Sequence, residues 1–424
     1  MDFYIYLAYI LAYIGLLATC FYFVNIILYY RTHKDPEEKT DKKVSILIPA
    51  YNEQEGIVRT IESALKLDYP KDKLEIIVVD DGSQDKTYEL AKKFVSSKDP
   101  IVKVFTKKNG GKASALNLAI KECSGEIVVS MDADTFVRPD ALKKMVGYFY
   151  SDEVMSVSPS MAVYKPSGLW GRIVQIEYFM GVFLRKSFAT MNAIHVTPGA
   201  FSAYRKKFFE KYGGYDVGNI TEDLEVALRI QSKHFAIENC PKAVAYTFSP
   251  DSFKDLLYQR RRWYIGLMKN LWNYRELFGF KHGPLGFIVL PVASTTILLS
   301  VSLTVYVVIQ GLIQIKNEIV SLSTINFEFK NYFEINSYIF ERFFYTILSK
   351  PIFLISVLFI FLLAVYLYFS RKQMLFEEGI KINFILFAFL YSLLFAFWWI
   401  LSFVYILTNR NVAWRAKYDK NKKK

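Results

Sequence analysis

The chain has 424 residues, of which 53% are hydrophobic and only 22% charged, and it carries a formal net charge of +13. That balance is too apolar for an ordinary soluble domain, and three isolated cysteines (Cys20, Cys123 and Cys240) argue against a disulfide framework or a structural zinc site. No nucleic-acid motif accompanies the basic excess; it clusters beside apolar runs at Arg260–Arg262, Arg371-Lys372, Arg410 and Lys420–Lys424, as expected beside anionic membrane lipids.

Phe3 to Tyr30 is nearly uncharged and long enough to cross a bilayer at about 1.5 Å per residue. No Lys or Arg precedes it and its apolar stretch exceeds a signal-peptide core, so a retained anchor is expected. Arg31, His33 and Lys34 follow directly, which places the next domain on the cytosolic side. Residues 31–250 read as that domain. Val44–Ile48, Leu74–Val79, Ile101–Phe105 and Glu126–Met131 read as buried strands. Helical spacing separates them at Glu53–Leu67, Asp85–Val95 and Lys112–Cys123, so an α/β fold with a mainly parallel sheet is predicted. Residues 251–282 read as interface helices, with one from about Ser252 to Leu271. Residues 283–424 read as a C-terminal membrane region and basic tail, with spans at Leu285–Ile315, Pro351–Ser370 and Ile382–Thr408. One anchor and three later spans would leave the Lys-rich tail outside, against the charge rule. Either Ile382–Thr408 turns back or part of Asn331–Lys350 is embedded.

The polar clusters sit at the predicted carboxyl ends of strands, where open α/β sheets bind ligands. They are Ala50-Tyr51-Asn52-Glu53, Asp80-Asp81-Gly82-Ser83 and Asp132-Ala133-Asp134. Each alone could be turn chemistry. Three acidic clusters on one rim call for a cation, and an extended Asp132-x-Asp134 would aim both carboxylates at one Mg²⁺ or Mn²⁺ bridging to a diphosphate. No Gly-x-Gly-x-x-Gly follows the first strand, and Gly110-Gly111-Lys112-Ala113 lacks the spacing and hydroxyl of a phosphate-binding Walker loop. Lys112 is left at a helix start, suited to meeting an anion. Thr221-Glu222-Asp223 opens an amphipathic helix, with Thr221 in the N-cap position and two acids that can complement the dipole or act as a base. Gln259, Arg262 and Trp263 share one helix face and offer a diphosphate contact beside a sugar-stacking indole; lipid-facing arginines are the plainer alternative.

Together these motifs resemble the family 2 glycosyltransferases, and among them the processive membrane synthases of β-linked glycans such as cellulose, chitin, hyaluronan and poly-β-1,6-N-acetylglucosamine. The resemblance runs from about Val44 to Asn270 and rests on residues 49–53, 79–83, 110–113, 132–134, 221–223 and 259–263. It implies a GT-A fold over residues 31–250, an inverting mechanism, a UDP-sugar donor and a Mg²⁺ or Mn²⁺ cofactor. It further implies that Ala50, Tyr51, Glu53, Asp80, Asp81 and Lys112 hold the nucleotide and that Asp132 lies near the diphosphate. Asp134, with Asp132, would bind the metal, and Asp223, beside Glu222, would be the base. Arg262 would meet the diphosphate, and Gly199, Gln259 and Trp263 would meet the acceptor. Thr197-Pro198-Gly199-Ala200-Phe201 departs from the acceptor loop of several relatives, so the product is not carried over. Val412-Ala413-Trp414-Arg415 resembles a cytosolic element of some relatives. The implied setting is the plasma membrane, multi-pass, with a glycan acceptor and any accessory or export subunit unnamed. The rival readings are transfer of one sugar to a lipid acceptor, and a transporter without chemistry; almost no charge lies within Leu285–Ile315 or Ile382–Thr408 to serve the latter.

Overall fold

The computed structural model describes residues 3–250, 252–324, 341, 344–345, 348, 350–374 and 381–408. Helix α1 (Phe3–Thr32) leads by an extended linker into a sheet whose first strands form where apolar residues run without interruption. β1 (Val44–Ala50), β2 (Leu74–Asp80) and β4 (Ile127–Met131) are buried along almost their whole length, as strands covered on both faces must be. β3 (Ile101–Thr106) is only partly buried and lies at the sheet edge. Helices α2 (Ile57–Leu65), α3 (Thr87–Lys92) and α4 (Lys112–Glu122) make the crossovers. In α2, Ile57, Thr60, Ile61 and Ala64 recur at helical spacing and are buried against the sheet.

The eight strands are ordered β3-β2-β1-β4-β7-β6-β8-β5. The parallel pairing expected up to Met131 is present: β1 pairs with β2 and with β4, and β2 with β3. Beyond it the sheet becomes mixed. β7 (Phe201–Arg205) runs antiparallel to β4, and β6 (Val154–Val163) antiparallel to β7. β8 (Ala236–Thr247) is parallel to β6, and the short β5 (Phe136–Val137) closes the far edge antiparallel to β8. The order reverses at β1, with β2 on one side and β4 on the other, so the carboxyl ends of β1 and β4 flank a crevice. Short helices α5 (Ala141–Gly147) and α7 (Lys206–Tyr212) pack outside the sheet, and α8 (Glu222–Ser232) precedes β8.

Two helices join this sheet to the apolar ones. α6 (Gly168–Ala189) has buried residues around much of its circumference, because β6 and β8 cover one side and other helices the opposite one. Its Ile173, Ile176, Phe179 and Val182 share a core cluster with Leu363 and Leu367 of α11 (Pro351–Met374) and Phe387 of α12 (Lys381–Leu407). α9 (Phe253–Asn273) packs on α12 and α8 and leads into α10 (Leu290–Thr324). Tyr4–Thr32, Leu285–Thr324 and Phe353–Met374 are long and apolar enough to cross a membrane, and Leu394–Leu407 is a shorter apolar helical stretch. The expected span Ile382–Thr408 forms one helix, Lys381–Leu407, apolar along its length. Most of Asn331–Lys350, together with Arg410, Val412–Arg415 and Lys420–Lys424, lies outside the described residues.

A buried charge ties α1 to the domain. Lys186, on α6, is fully buried, and its ammonium lies over the rings of Tyr29, Tyr30 and Tyr148 at 4.9, 5.6 and 5.2 Å. Its ion partner is Asp35, 3.7 Å away, which also accepts from Tyr30 and Tyr148 hydroxyls and pairs with Lys242 at 2.9 Å. Burial pushes the Asp35 carboxyl up, but Lys242, Lys186 and Tyr148 outweigh it and hold it below its ordinary range. Asp35→Ala leaves Lys186 buried without a counter-charge, a change that costs about 3–5 kcal/mol in such pairs. A clear fall in the thermal midpoint of the detergent-solubilised chain is expected; an unchanged midpoint would show that the three rings alone hold the ammonium.

Candidate active site

The loops after β1 and β2 are sewn together at the crevice. Asn52, at φ 55°, donates its backbone N–H to Ser83 Oγ, and its side-chain oxygen accepts from Gln84 N–H at 2.8 Å. Glu53 N–H donates to Thr87 Oγ1 at 2.8 Å, and Asp81 N–H to the Ala50 carbonyl at 2.8 Å. The Ala50 methyl belongs to the core, so this residue can serve a ligand only through its backbone. Asp80 is buried, accepting from Thr106 Oγ1 and Ser83 N–H through one oxygen, while the other is buried without a partner among the described residues. Asp81 does something the sequence did not suggest. Its carboxylate accepts from Lys107 Nζ at 2.7 Å and from the N–H groups of Gly110 and Gly111, so it holds the loop that presents Lys112.

Lys112 opens α4 and reaches across the crevice. Its ammonium lies 2.7 Å from Asp132 and 2.9 Å from Glu222, bringing together β4's end and the start of α8. Burial works to lower the Lys112 pKa, but Asp132, Glu222 and Asp223 overcome it and raise it. The anion that Lys112 was expected to meet is therefore, in this state, the chain's own carboxylates. Asp132-Ala133-Asp134 is not extended: Thr135 N–H donates to the Asp132 carbonyl at 3.0 Å and closes a turn. Thr60 Oγ1 fixes that turn by donating to the carbonyls of Ala133 and Thr135. The alternation expected of a strand does not apply, because pairing stops at Met131 and resumes at Phe136. Asp132 faces Lys112, whereas Asp134 lies close enough to α6 to raise the pKa of Tyr178 alongside burial and Glu177.

Thr221 occupies the N-cap position of α8 but its side chain caps nothing in the helix. Its hydroxyl instead accepts from Asn270 on α9 at 3.0 Å. Asp223 is clamped from several sides. One oxygen accepts from Gly199 N–H at 2.9 Å and the other from Leu224 N–H at 2.9 Å, while Thr197 donates to the Asp223 carbonyl. A Cβ at residue 199 would stand 2.7 Å from Lys112 Nζ and 3.0 Å from the Asp223 carboxylate, so either side chain would have to shift to admit it. Ser130 Oγ donates to the Gly199 carbonyl and ties this loop to β4. Burial, then the neighbouring Glu222, push the Asp223 carboxyl up to about 6 against the pull of Lys112 and Arg262. The expectation of a freely ionised acid is thus modified: Asp223 is a carboxylate at neutral pH with a raised proton affinity.

α9 brings the last group. Arg262 is half-buried and close enough to stabilise the Asp223 charge. The lipid-facing alternative fails for Arg260. Arg260 is 2% exposed and pairs with Glu177 of α6 at 2.7 Å, and Arg261 lies over Tyr258 and over Tyr405 of α12. The guanidinium of Arg260 sits 4.4 Å from the Trp263 ring centroid and covers one of its faces. Gln259 is half-buried, with a side-chain oxygen that has no partner among the described residues. Lys112, Asp132, Gly199, Glu222 and Asp223 thus converge directly, with Arg262 beside them. Tyr51 and Glu53 stand, half-buried, on the β1 rim. Thr197, Ser130 and Asn270 were not singled out, because their roles are hydrogen bonds to backbone and cap atoms from distant segments.

The donor set fits a hard divalent ion of the kind that arrives with a phosphate. Asp132 and Asp134 are two half-buried carboxylates, and among the described residues no group of three His, Cys, Asp or Glu could cage a metal alone. Mg²⁺-type sites commonly use one or two carboxylates and take the remaining oxygens from substrate phosphates and water.

Residues 45–213 match the family profile described as Glycosyl transferase family 2, and residues 225–382 one described as Chitin synthase. The chain is 33% identical over 250 residues to poly-beta-1,6-N-acetyl-D-glucosamine synthase of Staphylococcus aureus, a match covering 58% of this chain and 60% of that protein. It is 32% identical over 243 residues to the enzyme of the same name from Staphylococcus epidermidis, covering 56% and 58%. The chain therefore spans about 60% of the length of these curated relatives. Among solved structures, the mannosyltransferase of Pyrobaculum calidifontis, in complex with GDP-Man and Mn²⁺, superposes with a TM-score of 0.53 at 21% identity, over 87% of this chain and 100% of that one. That likeness concerns the fold. The sheet reverses at β1 within residues 45–213, the stretch that matches the family 2 glycosyltransferase profile, so the chain carries a family 2 glycosyltransferase domain of the GT-A fold joined to apolar helices long enough to cross a membrane.

Proposed function

We propose that this protein transfers a sugar, with inversion, from a UDP-sugar to a growing β-linked polysaccharide at the plasma membrane. The catalytic domain faces the cytosol, the helices cross the membrane several times, and the polymer advances between them as it lengthens. The observation that carries the chemistry is Asp223, held by Gly199 and Leu224 N–H groups between two cations, Lys112 and Arg262. The relatives' name supports the polymeric product, and N-acetylglucosamine is the sugar to test first.

The residues divide the work as follows. Asp223 takes the proton of the acceptor hydroxyl, whose oxygen attacks the donor's anomeric carbon from the side opposite the diphosphate. The bond from that carbon to the diphosphate oxygen breaks, and the charge left on the nucleoside diphosphate is met by Lys112 and Arg262. Lys112 is released for this when phosphate oxygens compete with Asp132 and Glu222 for its ammonium. A divalent ion held by Asp132 and Asp134, when bound, adds Lewis-acid stabilisation of the same leaving group. An acceptor sugar stacks on the Trp263 face opposite Arg260, and Arg260 in turn holds the indole in place.

Asp223→Asn is expected to lower transfer on the order of 100- to 10,000-fold while UDP binding persists, since general bases contribute about that much; near-normal turnover would remove Asp223 from its role. The acid limb of the rate profile is expected near pH 6, because the base must be unprotonated and its carboxyl is raised to about 6. Glu222→Gln removes a charge that raises this value, so the limb should move to lower pH; a fixed limb would assign it to another group. Chelation of divalent ions should abolish UDP release from a UDP-sugar, and added Mg²⁺ or Mn²⁺ should restore it. Labelled UDP-N-acetylglucosamine incubated with the full chain in lipid should yield high-molecular-weight, glycosidase-sensitive material. An organic-extractable glycolipid would instead identify a lipid acceptor.

A further inference from the structure

Helix α9 touches the base-bearing segment at three successive turns on one face, through Gly266, Asn270 and Tyr274. A Cβ at Gly266 would stand 2.2 Å from Thr221 Oγ1, so backbone and threonine meet there with no space between them. One turn on, Asn270 is 1% exposed. Its amide donates to Thr221 Oγ1 at 3.0 Å and to Asn219 Oδ1 at 3.2 Å, and its own oxygen accepts from Asn219 Nδ2 at 2.9 Å. Asn219 Oδ1 also accepts from Thr221 N–H at 3.1 Å, which closes the set. At the third turn Tyr274 donates to Glu225 of α8.

These bonds are not needed merely to hold the helices together. Leu224 and Leu228 of α8 already pack with Leu267, Leu271, Leu277 and Leu285 in one apolar cluster. Apolar contact is non-directional and tolerates sliding, whereas a closed buried hydrogen-bond set permits one register. The register matters because Asn270 lies two turns after Trp263 on the helix that carries Arg262, while Thr221 lies two residues before Asp223.

We infer that the Asn270–Asn219–Thr221 clasp is a positioning device, by which α9 and the α8 segment set the distance between Arg262 and the Asp223 base. The inference rests on the roles given above to those two residues. Asn270 touches no reacting atom and acts through Thr221. Without the clasp the chain still folds and binds donor, but base and guanidinium no longer share one geometry during transfer.

The test uses the full chain in lipid, with UDP release from UDP-N-acetylglucosamine as the assay. Asn270→Ala should lower kcat on the order of 100-fold, the scale of a misplacement of about 1 Å, with KM for the donor close to wild type. Asn219→Ala, at a half-buried loop position that spares α9, should show the same split and carries the test should Asn270→Ala fold poorly. Thr221→Ser keeps the hydroxyl oxygen that accepts from Asn270 and should keep most of the rate. Wild-type kcat in a folded alanine variant, a rise confined to KM, or a fall in Thr221→Ser as large as that in Asn270→Ala would overturn the clasp. A wild-type chain that releases no UDP from any UDP-sugar would overturn the functional reading beneath it, which separates the two failures.

Discussion

One ammonium surrounded by carboxylates holds the functional half of this protein together. Lys112 reaches Asp132 at the end of β4 and Glu222 at the start of α8, with Asp223 next in range. Without it, three acids from two distant segments would repel one another across a partly closed crevice. With it, they can stand within reach of a common substrate. Under the proposed function, phosphate oxygens of the donor would replace these carboxylates on Lys112.

Other parts of the fold serve this centre at one remove. Asp81 spends its carboxylate on the N–H groups of Gly110 and Gly111, and so fixes where Lys112 begins its reach. The Gly199 backbone lies so close to Lys112 and Asp223 that a methyl group there would displace their side chains. Desolvation and Glu222 raise the proton affinity of Asp223, while Lys112 and Arg262 keep it from rising further. A base that takes a hydroxyl proton gains from such a compromise, being ionised near neutrality yet stronger than an ordinary carboxylate.

The junction with the apolar helices is polar where it must be exact and greasy elsewhere. α6 fills the space between the sheet and α11 and α12 with aliphatic and aromatic side chains, and it carries one buried charge, Lys186, and one partly buried, Glu177. Lys186 engages Asp35 and the tyrosines around it, and Glu177 engages Arg260. These fix α6 against the segment after α1 and against α9, the helix that carries Arg262. Buried ion pairs add little stability over apolar packing.

Much was legible in the sequence because it depends on local pattern. Short runs such as Leu74–Val79, apolar but for Glu75 and ending at turn residues, read as strands covered on both faces, and apolar stretches such as Phe3–Tyr30 are long enough to cross a bilayer. Acidic clusters at strand ends pointed to one rim, and the spacing of Gln259, Arg262 and Trp263 to one helix face. What the sequence could not decide were contacts between segments far apart in the chain. That Thr221 bonds to Asn270 rather than capping its own helix, that Asp132-Ala133-Asp134 turns, and that Asp81 holds a loop all follow from which groups lie opposite one another. Local propensity says what a residue can do; only the folded chain, by bringing particular donors within about 3 Å of particular acceptors, decides what it does.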